Sequence, residues 1–216
     1  MSKIRVKYQT IEFGDLDLHI RILRDNQQFH DPDNVAEKLG ISSALWPLFG
    51  QIWPSGIILA NLMSSYKISG KRILEVGCGI GLASLVLNNR MANITSTDYH
   101  PSVEGFLKFN TKLNEDREIP YIRTDWSDKD DKLGKFDLII GSDLLYEPNH
   151  FKILSNFINH HSKKACEVII IDPNRGYKNK FTKEMLSLGF DSVQTVAETS
   201  NNILDYKGKV ITYNRK

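Results

Sequence analysis

Apolar and polar positions alternate with a period of two over residues 5–12 and again over Leu16–Leu23. Gly14-Asp15 lies between them, so the pattern predicts two strands joined by a tight turn. A polar loop, Asp25-Asn26-Gln27-Gln28-Phe29-His30-Asp31-Pro32, follows, and then a short helical patch over 34–39 that Gly40 stops. Aromatic residues and prolines crowd the next stretch, Trp46-Pro47-Leu48-Phe49-Gly50-Gln51-Ile52-Trp53-Pro54. Pro54 suits the first turn of a helix over 55–66, where its missing N–H costs nothing.

From Lys71 the pattern is regular. Strands are predicted at 72–76, 94–97, 121–123, 136–141 and 168–171, with helices at 80–89, 103–114, 150–161 and 180–188. Ile73-Leu74, Leu138-Ile139-Ile140 and Val168-Ile169-Ile170-Ile171 are continuous apolar runs, as expected of strands covered on both faces. Alternating strands and helices predict a doubly wound α/β fold. Residues 190–198 and 209–214 read as two further strands with Gly208 at a turn, adding an antiparallel hairpin at one edge. The expected fold is a mostly parallel, Rossmann-like seven-stranded sheet with that C-terminal hairpin and a small N-terminal hairpin and helix. Residues 1–53 are expected to form the extension and residues 54–216 a cofactor-binding domain.

Composition changes this picture little. Of 216 residues, 41% are hydrophobic and 25% charged, which excludes a wholly disordered chain. Lys and Arg total 28 against 26 acids, a formal charge of +2, so there is no strong electrostatic case for nucleic acid. Apolar runs fall well short of the roughly 18 residues that span a bilayer, and no membrane association is expected. The start shows no apolar signal region, and two cysteines suggest reduced thiols, so a cytoplasmic protein is expected. The six histidines show no ligand spacing, and no metal site is expected.

The chemistry concentrates in Ile73-Leu74-Glu75-Val76-Gly77-Cys78-Gly79-Ile80-Gly81, a strand running into three alternate glycines and a helix. Glycine permits the sharp turn and a close ligand approach. The dinucleotide spacing G-x-G-x-x-G is not met, because Leu82 stands at its third position. No G-K-[ST] follows either. Glu75 before the loop is a poor neighbour for pyrophosphate and a tolerable one for a cation. S-adenosylmethionine, with a sulfonium and an ammonium and no phosphate, fits these constraints. Asp98 ends the next strand about 20 residues on, where ribose hydroxyls are held in doubly wound folds. It equally suits a helix cap. Asp125-Trp126 offers an acceptor beside a flat ring, suited to adenine or to plain packing. Cys78 sits where a helix N-terminus can lower a thiol pKa, but a small residue there chiefly lets the loop fit its ligand.

These residues, with the strand end Gly141-Ser142-Asp143, resemble the class I, seven-β-strand S-adenosylmethionine-dependent methyltransferases. More narrowly, they resemble the protein-lysine methyltransferases and their bacterial relatives. Two further segments carry the narrower likeness. They are Trp53-Pro54-Ser55-Gly56-x-x-Leu59-Ala60 before the loop and Asp143-Leu144-Leu145-Tyr146 after the fourth strand. Asp172-Pro173-Asn174-Arg175 resembles the Asp-Pro-x-Arg of some lysine methyltransferases, though it also reads as a Pro-containing turn. The resemblance covers about residues 45 to 175.

By that resemblance Trp53, Glu75, Gly77, Cys78, Gly79, Gly81, Asp98, Asp125, Trp126 and Ser142 fall at the cofactor, and Asp143 and Tyr146 beside methyl transfer. It implies a protein-lysine acceptor, with a small-molecule acceptor of the nicotinamide kind, or a non-catalytic binder, as the alternatives. A turn of helix is expected to bring Tyr146 to the side of Asp143, and Pro148 to restart a helix near Asn149.

Overall fold

A computed structural model describes residues 4–128, 132–197 and 206–216. Strands β1 (Val6–Phe13) and β2 (Leu16–Leu23) pair antiparallel from Val6↔Leu23 to Phe13↔Leu16, turning at Gly14-Asp15 as the alternation predicts. A short helix α1 (Val35–Lys38) and a 3-10 turn at Trp46–Gly50 lead to α2 (Pro54–Ser65), which begins at the proline. Next come β3 (Arg72–Val76), α3 (Leu82–Asn89), β4 (Asn93–Asp98), α4 (Val103–Leu113) and β5 (Tyr121–Arg123). After them follow β6 (Phe136–Ser142), α5 (His150–His161), β7 (Ser162–Asp172), α6 (Lys178–Ser187), β8 (Asp191–Val196) and β9 (Lys209–Arg215).

The large sheet has the order β5-β4-β3-β6-β7-β9-β8. Its first five strands run parallel, and β9 is antiparallel to both β7 and β8. The C-terminal hairpin is therefore present, with β9 inserted between β7 and β8, so that β8 regains the direction of the parallel strands. Chain order reverses between β3 and β6, and that switch point opens a crevice at the strands' carboxyl ends.

The apolar runs make sense on this sheet, because successive residues of a strand point to opposite faces. Ile73, Leu138, Ile140, Ile169 and Ile171 join one core with α2 and α3. Leu74, Ile139, Val168 and Ile170 join a second with α5 and α6. The N-terminal hairpin shares the first core through Ile11, Phe13, Leu18, Ile20 and Ile22. Helix α4 holds its edge. Asn110 accepts from Arg21 N–H at 2.8 Å and donates to its carbonyl, and Asn114 does the same at His19, also accepting at 2.8 Å. One turn apart at the C-terminal end of α4, where Asn114 is the cap, these amides take the place of a neighbouring strand on β2.

Most boundaries fall within two residues of expectation, and the departures at α3, β7 and β8 have physical reasons or limits. Helix α3 starts at Leu82 instead of residue 80, because Gly81 at φ 74° is still in the left-handed turn. Strand β7 begins at Ser162, directly after α5, and Lys163-Lys164 hid its first half. Lys163 is there because its ammonium reaches Asp137 on β6 at 2.8 Å. The strand expected over 190–198 is observed as Asp191–Val196; residue 198 lies outside the described residues.

If the hairpin is part of the core, shortening one fully buried β2 side chain must cost as much as a central one. Leu18→Ala is expected to lower unfolding free energy by about 2–5 kcal/mol in urea titrations, and a loss under about 1 kcal/mol would make the hairpin dispensable.

Candidate functional site

A cavity of about 620 Å³ opens where the strand order reverses. Its walls come from the loops after β3, β4, β5, β6 and β7 and from the segment before α2. Of the residues singled out in the sequence, Trp53, Glu75, Gly77, Cys78, Gly79, Asp98, Asp125, Trp126, Ser142, Asp143 and Tyr146 line it. Gly81 does not line it, and its role is conformational. It precedes α3 in the left-handed region, and a Cβ there would meet Leu107 Cδ1 at 2.5 Å.

The glycine loop is bound to the chain itself. Gly79 N–H donates to Asp98 Oδ2 at 2.8 Å, Cys78 N–H to the Thr97 carbonyl at 3.0 Å, and Gly81 N–H to the Cys78 carbonyl at 2.8 Å. A phosphate cradle needs several free N–H groups, and here three are spent internally. Gly79 has φ 53°, and a Cβ would lie 3.0 Å from the Phe49 carbonyl oxygen. A side chain at 79 thus disturbs the packed aromatic segment as well as the cavity, so Gly79→Val is not a fold-neutral probe.

Asp98 also accepts His100 N–H at 2.8 Å through Oδ1. It ties two loops together and is not the cap of α4, whose N-cap is Ser102. Each carboxylate oxygen keeps a second lone pair for a hydroxyl. Burial raises its pKa.

Glu75 turns under the loop, where its Oε2 accepts from Ser84 N–H at 2.9 Å and from the Ser84 hydroxyl. Burial pushes its pKa up to about 7 against those hydrogen bonds. Cys78 is buried, and burial followed by the charges of Asp98 and Glu75 pushes its thiol well up. The helix-terminus effect on Cys78 is overridden, and the residue is a neutral wall of the cavity.

Trp53 is anchored by its Nε1–H on the Leu48 carbonyl at 3.0 Å. The Asp125 carboxylate accepts from Ser127 N–H and Oγ at 2.7 and 2.8 Å, which fixes the turn presenting Trp126. Trp126 stands edge-to-face with His150 at 5.1 Å, and Tyr146 does so at 4.9 Å. His150, which shows no ligand spacing in the sequence, thus links the two aromatic walls. Only its place at the start of α5 hinted at this.

Asp143 follows β6 at φ 55°, with its N–H on the Ile171 carbonyl at 2.9 Å. No turn of helix joins it to Tyr146. Residues 143–149 form an irregular loop, and α5 starts at His150 behind Asn149, near the restart that Pro148 predicts. The two side chains still reach one cavity. The Asp143 carboxylate is held by Arg175, whose Nε and Nη2 donate to its two oxygens at 2.8 and 3.1 Å. Partial burial, with the charges of Asp98, Glu147 and Asp143, pushes the Tyr146 phenol up to about 12, so it remains protonated at neutral pH.

Against this geometry, the sequence pattern of a family described as lysine methyltransferase matches residues 39–187, more than half of the chain. The chain belongs to that family. It is 29% identical to an Arabidopsis thaliana calmodulin-lysine N-methyltransferase over 66% of this chain and 51% of that protein. It is 31% identical to a Dictyostelium discoideum histidine protein methyltransferase 1 homolog over 86% of this chain and 64% of that one. The chain thus spans between about half and two-thirds of these relatives' lengths. The structure of magnesium protoporphyrin IX methyltransferase from Synechocystis, solved with bound SAM, superposes with a TM-score of 0.57 at 17% identity. That match covers 74% of this chain and 77% of that one, and supports the fold.

Among the described residues no group of three His, Cys, Asp or Glu is arranged to hold a metal ion, and no helix is long and apolar enough to cross a membrane.

Glu75 supplies a test of the buried loop. Its folded pKa lies above the ordinary 4.5, so the stability it adds is complete below about 4.5 and is lost as pH rises through about 7. Urea titrations at pH 5 and pH 8 should show wild type losing stability relative to Glu75→Gln, on the order of 2–3 kcal/mol. Parallel pH dependence in the two proteins would place Glu75 in contact with water.

Proposed function

We propose that this protein is an S-adenosylmethionine-dependent N-methyltransferase whose acceptor is a protein lysine side chain. The observation that carries the reading is one cavity holding the glycine loop, Asp98, Trp126, Ser142, Asp143 and Tyr146 at the switch point. Family membership over residues 39–187 supports the lysine acceptor. Division into an extension over 1–53 and a cofactor domain over 54–216 belongs to the same reading. So does a cytoplasmic location, consistent with Cys78 and Cys166 being buried and unpaired.

The residues fit this cofactor better than a dinucleotide. The loop's N–H groups at Cys78, Gly79 and Gly81 are occupied, which leaves little to hold a pyrophosphate. Asp98 retains acceptor capacity for ribose hydroxyls, and Trp126 offers a flat apolar wall. Bound here, S-adenosylmethionine would supply a methyl group activated by its sulfonium charge, transferred in line to a nitrogen lone pair as the carbon–sulfur electrons leave to sulfur. The chain's task is alignment and exclusion of water. The protonated Tyr146 hydroxyl and the fixed Asp143–Arg175 pair stand on the acceptor side of the cavity.

The similarity to a histidine protein methyltransferase homolog over 197 residues favours one second reading, a protein histidine acceptor. Small-molecule methylation and binding without turnover are weaker on the same family evidence.

The test has two arms. S-adenosylmethionine and S-adenosylhomocysteine should raise Tm while NAD does not, because a ligand that binds only the folded state stabilises it. Labelled cofactor in a knockout lysate should mark a protein band whose label maps to lysine. Label on histidine would select the second reading; label only in the small-molecule fraction, or none, would overturn both.

A further inference from the structure

Arg175 meets Asp143 from a turn that the chain holds at both ends. Asp172 ends β7 fully buried, and its Oδ1 accepts Arg175 N–H at 2.9 Å. Asn174 at φ 69° completes the turn and donates to the Lys207 carbonyl at 2.5 Å. The guanidinium then meets Asp143 with two hydrogen bonds, a fork geometry that fixes orientation as well as charge. The Asp143 side chain is 13% exposed and that of Arg175 44% exposed, so the pair has one side inside and one side in the cavity mouth.

The charges around the pair come from every neighbouring element. Asp172 closes β7, Tyr206 precedes β9, Tyr146 and Glu147 follow β6, and Lys178 of α6 acts on Asp172. Glu147 is itself within 3.3 Å of His150 Nε2.

A lone carboxylate at the acceptor site would hold an arriving lysine as its ammonium, which has no lone pair to give. A carboxylate already neutralised by a guanidinium has much less hold on that proton.

We propose that Arg175 is a positioning residue that fixes Asp143 and cancels its charge, so that the acceptor lysine enters as the neutral amine. The proton passes to water before the nitrogen lone pair is used, and the positive charge that appears on nitrogen in transfer equals the one lost from sulfur. Asp143 then directs the amine through a remaining lone pair without raising its pKa. This rests on the methyltransferase reading above.

The experiment measures transfer from labelled S-adenosylmethionine to the lysate acceptor between pH 6.5 and 10, for wild type, Arg175→Gln and Arg175→Lys. S-adenosylhomocysteine affinity and Tm are measured beside it. Arg175→Gln should lose at least tenfold in kcat/KM at pH 7.5, and its rising limb should move up by about half to one pH unit. Arg175→Lys, which keeps the charge, should restore the wild-type limb with a lower plateau. Cofactor affinity should stay within twofold throughout. On the unliganded protein, the Arg175 Nε–H resonance should be exchange-protected and lose that protection in Asp143→Asn.

A limb that does not move, activity equal to wild type, or an unprotected Nε–H in wild type overturns this role alone. Wild type that labels nothing overturns the methyltransferase reading and this role with it.

Discussion

Asp98 accepts Gly79 N–H with one oxygen and His100 N–H with the other, both at 2.8 Å, and the rest of the cavity is hung on that pair of bonds. A half-buried carboxylate is costly unless it is well hydrogen-bonded, so the loop after β3 and the turn after β4 are drawn to it from either side. The third body joins through packing. Phe49 stacks on the His100 ring at 4.2 Å, and its carbonyl oxygen would lie 3.0 Å from a Cβ at Gly79, a tight contact at a position whose φ of 53° already favours glycine. The aromatic segment before α2, the glycine loop and the β4 turn therefore form one wall. Its cavity face is held by bonds and packing within the chain itself, the kind of preorganisation that transfer by alignment requires.

The electrostatics follow from the same burial. Glu75 at about 7 is only partly charged at neutral pH, and Cys78 is a neutral thiol. Asp143 has its charge matched by Arg175. The site thus presents acceptor oxygens and oriented dipoles more than bare negative charge. That suits a cofactor whose one positive sulfur must become neutral as the reaction proceeds.

Most of the fold was legible because its physics is local. The two-residue alternation gave the N-terminal hairpin, continuous apolar runs gave the strands covered on both faces, and glycine after Val76 gave the crevice. What escaped depends on distant partners. Lys163-Lys164 looks like a loop until Asp137 is placed beside it, and the Asn110 and Asn114 amides look like ordinary surface until they meet the edge of β2. At the site, the cavity residues carried by glycine and acid patterns could be named in advance, whereas Arg175 on Asp143 and His150 between Trp126 and Tyr146 could not. Arg175 stands in the Asp-Pro-x-Arg segment, but its pairing with Asp143 depends on β6 and β7 lying side by side, and His150 carries no spacing signal. Gly81 illustrates the converse, a residue inside the motif whose glycine is needed for Leu107 and the turn.

Isothermal titration of S-adenosylhomocysteine into wild type and Asp98→Asn tests the central claim most directly. An asparagine at 98 keeps the size of the side chain but can offer only one acceptor oxygen to the two N–H groups and the ligand. The account predicts saturable one-site binding to wild type, weakened at least tenfold in the variant, about 1.4 kcal/mol. Equal affinity in the two proteins, or no binding to wild type, would contradict it.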